Sequence, residues 1–316
     1  MKYVLITPAH NEEAFIDKTL ASMAAQTVLP ERWVIVDDGS SDRMVEIIQR
    51  YAKRFSWIRL VQRPPRLDRS FAGKVHAFNA GLEQVQSVPF EIIGNLDADL
   101  SFEPDYLEFL IGKFAEDPQL GVAGTPFTEN GGYDTARDSF EGENHVAGGC
   151  QLFRRQCFED VGGYIPNPAG GIDWIAVTTA RMKGWRTRSF PEKRFHHYRM
   201  LGTAGRGPLR ALYSYGEKDY YLGGSPVWQL FRVAYRMTKR PILLGGLALL
   251  SGYVWAASRR VNRVVSPELM RLHRHEQMNK LRAVFRNLLR FKKIDNFSMG
   301  TERQRSVTSD RHAYRG

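Results

Sequence analysis

The sequence predicts an α/β fold, with a mostly parallel sheet covered by helices on both faces and a helical C-terminal appendage. Short apolar β runs alternate with segments of helical periodicity through the first half of the chain, and polar clusters follow three of these runs. The charge also changes sign: residues 1–200 carry a net −4, and residues 201–316 carry +15, from 22 basic and 7 acidic side chains. For 316 residues we therefore expect two domains, 1–205 and 206–316.

Four strands and four helices are predicted in the first half. Apolar runs bounded by turn residues predict the strands, at 2–7, 33–36, 57–61 and 90–96. Apolar residues at helical spacing predict the helices, at 11–25, from Ser41 or Asp42 to about 54, at 73–86 and at 104–115. Two shorter helices are expected near 155–161 and 173–183. This alternation is typical of a parallel sheet, whose ligands bind beyond the carboxyl ends of the strands.

The three polar clusters follow the first, second and fourth predicted strands, at 7–12, 37–41 and 97–99. Because the carboxyl ends of parallel strands meet at one edge, we expect the clusters to share one crevice. Asp97 and Asp99, with one residue between them, can approach one hard divalent cation such as Mg²⁺ or Mn²⁺. The alternative for this pair is a turn that caps the following helix.

Residues 6–13 and 34–42 resemble the two opening signatures of family 2 glycosyltransferases, which have the Rossmann-like GT-A fold. Gly73 and Lys74, followed by Asn79, look like the third segment of that family. Residues 95–99 are similar to its metal-binding D-x-D motif, and residues 148–164 resemble the segment that leads into its acceptor site. The resemblance covers about residues 2–200, with every segment in the family's order.

The resemblance implies a nucleotide-diphosphate sugar as donor, with a UDP-sugar expected first. The residues that it assigns to the donor are Thr7, Pro8, Ala9, Glu12, Asp38, Lys74, Asn79, Asp97 and Ala98. Backbone groups at the first strand end can hold a flat base, and Asp38 can accept a hydrogen bond from uracil or ribose. Lys74, near a helix start, suits a phosphate group. The alternatives are turn formation for Asp38 and a solvated surface position for Lys74.

The resemblance also implies a catalytic base and an acceptor site. The base of the family is an Asp or Glu, often in a Glu-Asp pair before a helix; Ile172 departs from that pair and leaves Asp173. Asp173 would remove the proton from an acceptor hydroxyl, which attacks the anomeric carbon opposite the nucleotide, so that transfer inverts its configuration. Gly148, Gly149 and Trp174 would lie on the acceptor side. The alternative for Asp173 is the N-cap of its helix.

The metal ligands implied by the resemblance are Asp97, Asp99 and His197, and Mg²⁺ or Mn²⁺ would neutralise the departing diphosphate. Adjacent side chains of a strand point opposite ways, so only one of His196 and His197 can face Asp99, and we assign His197 by analogy. A histidine hydrogen-bonded in a loop is the alternative. With only two cysteines in the chain, a disulfide scaffold or a thiolate zinc site is excluded.

The C-terminal region predicts contact with an anionic membrane surface. Residues 242–257 are uncharged, are flanked by pairs of basic residues, and are fewer than a membrane-spanning helix needs. These features favour a re-entrant or interfacial segment. The alternatives are a short transmembrane helix and a buried core helix. A basic amphipathic helix is expected over about 266–293. We expect a saccharide or polyprenyl-diphosphate-linked acceptor there. Because no signal peptide is recognised, we expect a cytoplasmic protein associated peripherally with the inner face of the plasma membrane.

Two other functions stay open from the residues alone. A nucleotidyltransferase would share the sheet and the metal site, but it normally carries a glycine-rich loop where residues 7–12 have no glycine. A nucleic-acid-binding protein would use the basic tail. Residues 242–257, however, carry no charged side chain that could bind a phosphate group, so nucleic acid is not an expected partner. Gln229 and Arg232 match part of the Q-x-x-R-W motif of processive relatives, but the tryptophan is missing. We therefore expect transfer of one sugar rather than polymerisation.

Overall fold

The computed structural model describes residues 1–64, 71–130, 132–139, 141–167, 170–199 and 207–290. The chain forms two compact units. The first unit comprises Met1–Thr135 and His145–Met200, and the second comprises Ala136–Asn144 and Leu201–Gly316. A short stretch from the middle of the chain therefore belongs with the C-terminal residues.

Ten strands form two sheets in the described part of the first unit. In chain order they are β1 (Tyr3–Ala9), β2 (Arg32–Asp37), β3 (Ile58–Gln62), β4 (Ile92–Leu96), β5 (Leu100–Phe102), β6 (Leu120–Gly124), β7 (Phe127–Glu129), β8 (Cys150–Arg154), β9 (Arg186–Ser189) and β10 (Phe195–His197). The central sheet has the order β3-β2-β1-β4-β8-β6-β9. Its neighbouring strands are parallel except for β8, which runs antiparallel to β4 and β6. The second sheet has the order β5-β10-β7.

Helices cover both faces of the central sheet, which confirms the predicted α/β architecture. They are α1 (Ile16–Ala24), α2 (Met44–Arg54), α3 (Phe71–Glu83), α4 (Tyr106–Glu116), α6 (Arg155–Val161) and α7 (Ile172–Met182); the short helix α5 (Thr135–Asp138) lies where the chain passes from the first unit to the second. Side chains alternate along β1: Tyr3 and Leu5 join one buried apolar cluster, and Val4 and Ile6 join the other. Because both faces of β1 are buried, the strand is apolar at nearly every position.

The helix predicted from residue 11 begins at Ile16 instead. Asn11 has a positive φ of 53°, which a right-handed helix excludes. Its backbone N–H donates to Ser40 Oγ over 2.9 Å, and its Oδ1 accepts from the N–H of Ser41 over 2.8 Å. These bonds tie the residues before α1 to the loop after β2. The second predicted helix begins near its expected cap, since Asp42 Oδ1 accepts from the N–H of Met44.

Four helices form the described part of the second unit: α8 (Pro208–Tyr221), α9 (Pro226–Met237), α10 (Leu244–Ser258) and α11 (Pro267–Leu289). Ser266 Oγ accepts a hydrogen bond from the N–H of Leu269 over 3.2 Å, which confirms the predicted start of the long C-terminal helix. Among the described residues, no helix is both long enough and apolar enough to cross a membrane.

Two glycines let α8 and α10 approach each other closely. A Cβ added at Gly216 would overlap the carbonyl oxygen of Leu249, and one at Gly252 would overlap the carbonyl oxygen of Tyr213. The backbones of the two helices therefore touch at these positions. Only glycine permits such contact, because any side chain would separate the helices.

We expect Gly252→Ala to destabilise the protein by about 1–3 kcal/mol, because the added methyl group meets backbone that cannot move aside independently. The measurement is urea unfolding followed by circular dichroism. The matched control is Gly112→Ala in α4, where an added Cβ would meet no atom within 4 Å. This control should leave stability unchanged or raise it by up to about 1 kcal/mol, because alanine favours the helix. Equal stability of the two variants would contradict the proposed contact.

Candidate active site

The predicted polar clusters lie at one edge of the central sheet, where β1, β2 and β4 end. The backbone N–H of Asp38, after β2, donates to the carbonyl of Ala9 at the end of β1 over 2.8 Å. The backbone N–H of Asp97, after β4, donates to the carbonyl of Gly149 over 2.8 Å. These bonds hold the strand ends together, so that side chains distant in sequence face the same region.

Asp97, Asp99 and His197 form a compact cluster at this edge. One ligand atom from each side chain lies within 4.8 Å of the others. The antiparallel pairing of β10 with β5 sets His197 opposite Leu100, and His197 Nε2 lies 3.4 Å from Asp99 Oδ1. On the other side of the ring, His197 Nδ1 lies 3.8 Å from Glu129 Oε1.

His196 faces away from this cluster, as the alternation of an extended strand predicts. Its Nε2 lies 3.0 Å from Asn130 Oδ1, and its Nδ1 lies 3.3 Å from Thr128 Oγ1. Of the two adjacent histidines, the structure therefore places His197 beside Asp99.

Two cations flank the carboxylates. Lys74 Nζ donates to Asp97 Oδ1 over 2.5 Å. Arg199 Nη2 donates to Glu12 Oε2 over 2.5 Å, and its Nε lies 3.6 Å from Asp99 Oδ2. The positive charges of a lysine and an arginine therefore stand next to the acidic cluster, where a diphosphate group could also use them.

Burial raises the pKa of Asp99. The nearby His197 ring lowers this pKa, whereas the neighbouring carboxylate of Asp97 raises it further. Arg199 and Lys74 oppose the rise as well. A cationic partner stabilises the charged form of a buried carboxylate more than that of an exposed carboxylate, because little water is present to solvate the buried charge.

The side chains of the cluster fit a divalent cation. Two carboxylates and one imidazole offer oxygen and nitrogen donors, a set that suits Mn²⁺ and also allows Mg²⁺. The alternative of a simple capping turn does not account for the approach of His197, which comes from a strand about 100 residues further along the chain.

Asp173 lies in the first turn of α7, and the N-cap of that helix is Gly171, so the N-cap alternative for Asp173 is wrong. Its Oδ2 accepts a hydrogen bond from the N–H of Gly148 over 3.2 Å. A Cβ at Gly148 would lie 2.8 Å from the Cβ of Asp173, so a side chain there would displace the carboxylate. Since Gly149 bonds to Asp97, the two glycines connect the predicted base to the acidic cluster.

Several residues predicted to bind the donor are engaged within the first unit. Trp33 Nε1 donates to Thr7 Oγ1 over 2.8 Å in the interior, which leaves only the backbone of Thr7 at the strand edge. Thr19 Oγ1 donates to the carbonyl of Ala98 over 2.8 Å. Pro8 and Ala9 lie in β1, paired with Val36 and Asp37 of β2.

For two predicted site residues, Asn79 and Trp174, the structure gives a position on a helix but no hydrogen bond to the acidic cluster. Asn79 is exposed on α3, five residues after Lys74, which places the two side chains about 140° apart around the helix. Trp174, the residue directly after Asp173 in α7, is buried. Their predicted roles stay predictions.

Three residues at this edge were not found from the sequence. Arg63 Nη1 donates to Asp38 Oδ1 over 2.5 Å, Arg199 contacts Asp99, and Glu129 lies near His197. Two signals were available: Arg63 directly follows β3 at the same edge as the other clusters, and Arg199 follows His197 by two residues, the spacing that keeps side chains on one side of an extended segment. Nothing in the local sequence around Glu129 distinguishes it from a surface acid.

The fold is shared with solved glycosyltransferase structures. The mannosyltransferase PcManGT from Pyrobaculum calidifontis, solved with GDP-Man and Mn²⁺, aligns with a TM-score of 0.53 at 20% identity over 91% of this chain and 80% of its own. Residues 1–349 of TarS from S. aureus, solved with UDP-GlcNAc, align with a TM-score of 0.54 at 17% identity over 94% of this chain and 89% of its own. The fold and the acidic edge thus define an α/β protein of the GT-A-like class.

Sequence comparison identifies the family. The profile described as "Glycosyl transferase family 2" matches residues 4–162, half of the chain, and the protein belongs to this family. Curated relatives include poly-beta-1,6-N-acetyl-D-glucosamine synthase of Staphylococcus aureus strain COL, 30% identical over 122 residues, and that of Staphylococcus epidermidis, 32% identical over 125 residues. Each match covers 38% of this chain and 27% of the relative, so the similarity spans about a quarter of the relatives' length.

Proposed function

We propose that the protein transfers a single sugar from a nucleotide-diphosphate sugar to a hydroxyl group of a saccharide or lipid-linked saccharide, with inversion and with dependence on Mg²⁺ or Mn²⁺. The observation that carries the proposal is the cluster of Asp97, Asp99 and His197 beside Lys74, with Asp173 held against the same glycine pair. This arrangement offers a cation site, a phosphate partner and a general base at one strand edge.

UDP-N-acetylglucosamine is the first donor to test. Relatives of the chain are named as N-acetylglucosamine polymer synthases, and TarS has been solved with UDP-GlcNAc. GDP-mannose is the second, since a structural neighbour was solved with it. Asp38 and the backbone of residues 7–9 would contact the nucleoside, and Arg63 would orient the Asp38 carboxylate through their ion pair.

In the proposed reaction Asp173 accepts the proton of the acceptor hydroxyl as that oxygen attacks the anomeric carbon. The hydrogen bond from the N–H of Gly148 fixes the carboxylate and leaves its second oxygen for the acceptor. Lys74 and Arg199 supply positive charge toward the diphosphate as negative charge grows on it. A divalent cation bound by Asp97, Asp99 and His197 would neutralise the same leaving group. One displacement of this kind inverts the anomeric configuration.

Transfer of one sugar rather than processive synthesis is part of this proposal, and the two residues that partly match the Q-x-x-R-W motif lie in the second unit. Gln229 is buried there, and Arg232 Nη1 donates to Asp219 Oδ1 over 2.5 Å. Arg232 is thus paired inside this unit, whereas Gln229 Nε2 is buried without a hydrogen-bond partner among the described residues. Their match gives no support for a polymer channel.

A thermal-shift screen tests the donor assignment. With Mn²⁺ present, we expect UDP-GlcNAc at 100 times its dissociation constant to stabilise the folded chain by about 2.7 kcal/mol, because it binds only the native state. GDP-mannose should give a smaller shift, and the shift with UDP-GlcNAc should fall sharply when EDTA removes the cation. Stabilisation by nucleoside triphosphates alone, with release of pyrophosphate, would instead identify a nucleotidyltransferase. If no sugar nucleotide shifts the melting temperature, the proposed donor class is wrong.

We further propose that the acceptor lies at the inner face of the plasma membrane and that the chain is a peripheral protein there. The support is the charge of +15 carried by residues 201–316 together with the apolar segment 242–257.

A further inference from the structure

Exposed apolar side chains are concentrated in the second unit. Of the sixteen large apolar residues that are exposed in the described part of the chain, thirteen lie between residues 207 and 290. Scattered exposure of this kind is ordinary on soluble proteins, but concentration in one region marks a contact surface.

Six of these thirteen residues lie in two rows on neighbouring helices. The outer row of α10 contains Leu244, Leu247, Val254 and Trp255, spaced so that they share one face. The outer row of α9 contains Val227, Leu230 and Ala234. The helices are adjacent, because a Cβ at Gly246 of α10 would lie 2.8 Å from the carbonyl oxygen of Val233 in α9. We call these two rows the hairpin face.

The turn before α10 extends this apolar surface. Ile242 and Leu243 are 62% and 59% exposed, so most of the surface of both residues faces away from the described part of the chain. Exposure of consecutive large aliphatic side chains at a turn costs free energy in water, because turns are usually polar. A surface that receives them removes this cost.

The charges around the hairpin face are all of one sign. Residues 222–267 contain seven basic side chains and no acidic one. Lys239 and Arg240 are exposed at one end of the face, next to the turn, and Arg259 and Arg260 are exposed at the other. Apolar rows bordered by cations match a bilayer surface, where anionic headgroups lie above an apolar interior.

The long helix α11, which the sequence suggested as a membrane contact together with segment 242–257, uses part of its apolar stripe inside the second unit. Leu269, Leu281 and Val284 are buried, and Gln277 Oε1 accepts from the N–H of Ser225 over 2.7 Å. Those side chains are engaged with the protein and not available to a lipid. The hairpin face therefore offers the larger unpartnered apolar surface in the described residues.

We propose that the hairpin face docks on an anionic lipid bilayer, with Ile242, Leu243, Leu244 and Leu247 entering the headgroup layer and the flanking basic residues contacting phosphate groups. This rests on the proposed membrane location and names the side chains that would make the contact, but it does not depend on the proposed sugar transfer. The docking face includes α10, which covers most of the apolar segment 242–257 that the sequence favoured, and it adds one side of α9.

Vesicle co-sedimentation of the full chain tests the proposal. We expect binding to vesicles of phosphatidylglycerol and phosphatidylcholine at least tenfold tighter than to phosphatidylcholine alone, and weakened by salt. Leu244→Glu with Leu247→Glu should weaken binding to the anionic vesicles at least tenfold. Lys239→Gln with Arg240→Gln should weaken it by about fivefold per charge removed.

The matched control is Leu29→Glu with Ile165→Glu in the first unit, where the two side chains are 45% and 43% exposed. This variant adds the same charge and should bind vesicles as the unmodified chain does. Thermal unfolding of each variant checks that it is folded. Equal loss of binding in the control and in the Leu244/Leu247 variant would overturn the proposal.

A second measurement uses the unmodified chain. Trp255 is 40% exposed on the hairpin face, so bromine-labelled anionic lipids should quench part of the tryptophan emission. This part should disappear in Trp255→Phe. Absence of quenching would overturn the proposal. It would also be overturned if the chain bound no vesicles and formed a dimer that the Leu244 and Leu247 substitutions dissociate. The latter result would make the face an interface between two copies.

Discussion

Asp173→Asn should lower the rate of sugar transfer by about 10²–10⁴-fold, the usual contribution of a positioned general base. The amide cannot take the proton of the acceptor hydroxyl. Its oxygen can still accept the hydrogen bond from the N–H of Gly148, so the geometry around the glycine pair is kept. The melting-temperature shift produced by UDP-GlcNAc and Mn²⁺ should therefore be unchanged, because the variant loses catalysis and not donor binding.

The control for this experiment is Glu159→Gln on α6, where the carboxylate is exposed and paired with Arg155 over 2.8 Å. We expect no change in the transfer rate, since this side chain lies on the protein surface. Turnover by Asp173→Asn at close to the unmodified rate would show that another group takes the proton. A smaller thermal shift in Asp173→Asn would instead place Asp173 in donor binding.

The second large effect is expected for Asp99→Asn, which removes the buried carboxylate of the cluster. The amide is a weaker ligand, so the affinity for Mn²⁺ in the presence of UDP should fall by at least on the order of 10²-fold. Removal of a group that only supports a metal ligand can already cost up to about that much. Isothermal titration calorimetry measures this affinity directly. Sugar transfer at fixed Mn²⁺ should fall in parallel and recover in part at higher Mn²⁺ concentration.

Loss of structure can be separated from loss of metal binding in this variant. Because burial disfavours the charged carboxylate of Asp99, replacing it by a neutral amide should leave the unfolding temperature of the metal-free chain unchanged or higher. Glu116→Gln, at the exposed end of α4 and paired with Lys113, is the matched control and should keep full Mn²⁺ affinity. Normal Mn²⁺ affinity in Asp99→Asn would remove Asp99 from the ligand set.

The features that could be predicted from the sequence are those set by local periodicity. Strands β1 to β4 and their helices follow from apolar spacing, and the convergence of their polar ends follows from parallel order. Strand alternation allowed only one of His196 and His197 to face Asp99, and the choice of His197 came from the family resemblance. The antiparallel strand β8 was not predicted, because its direction depends on the chain path between residues 124 and 150 and not on its own residues.

The missed residues depend on distant contacts. Arg199 lies 187 residues from its partner Glu12, and no local pattern encodes that ion pair. Asn79 is a different case: a motif assigned it to the donor, and α3 places it about 140° around the helix from Lys74, so its role stays a prediction. The sequence marked residues 242–257 as a membrane-contacting segment, but it could not show which side of the helix is exposed, because an uncharged helix has the same pattern whether one side or all sides are buried.

The assignment of residues 136–144 to the second unit has a consequence for how the chain can be divided. The polypeptide passes from one unit to the other three times, at 135/136, 144/145 and 200/201. Lys280 Nζ donates to the carbonyl of Glu141 over 2.6 Å, so this internal stretch is bonded to the C-terminal helix. A polypeptide cut at residue 205 would keep residues 136–144 but lose the surface on which they fold. Gene truncation therefore cannot isolate the catalytic unit intact, and recombination that exchanged the C-terminal half alone would have to replace this insertion too.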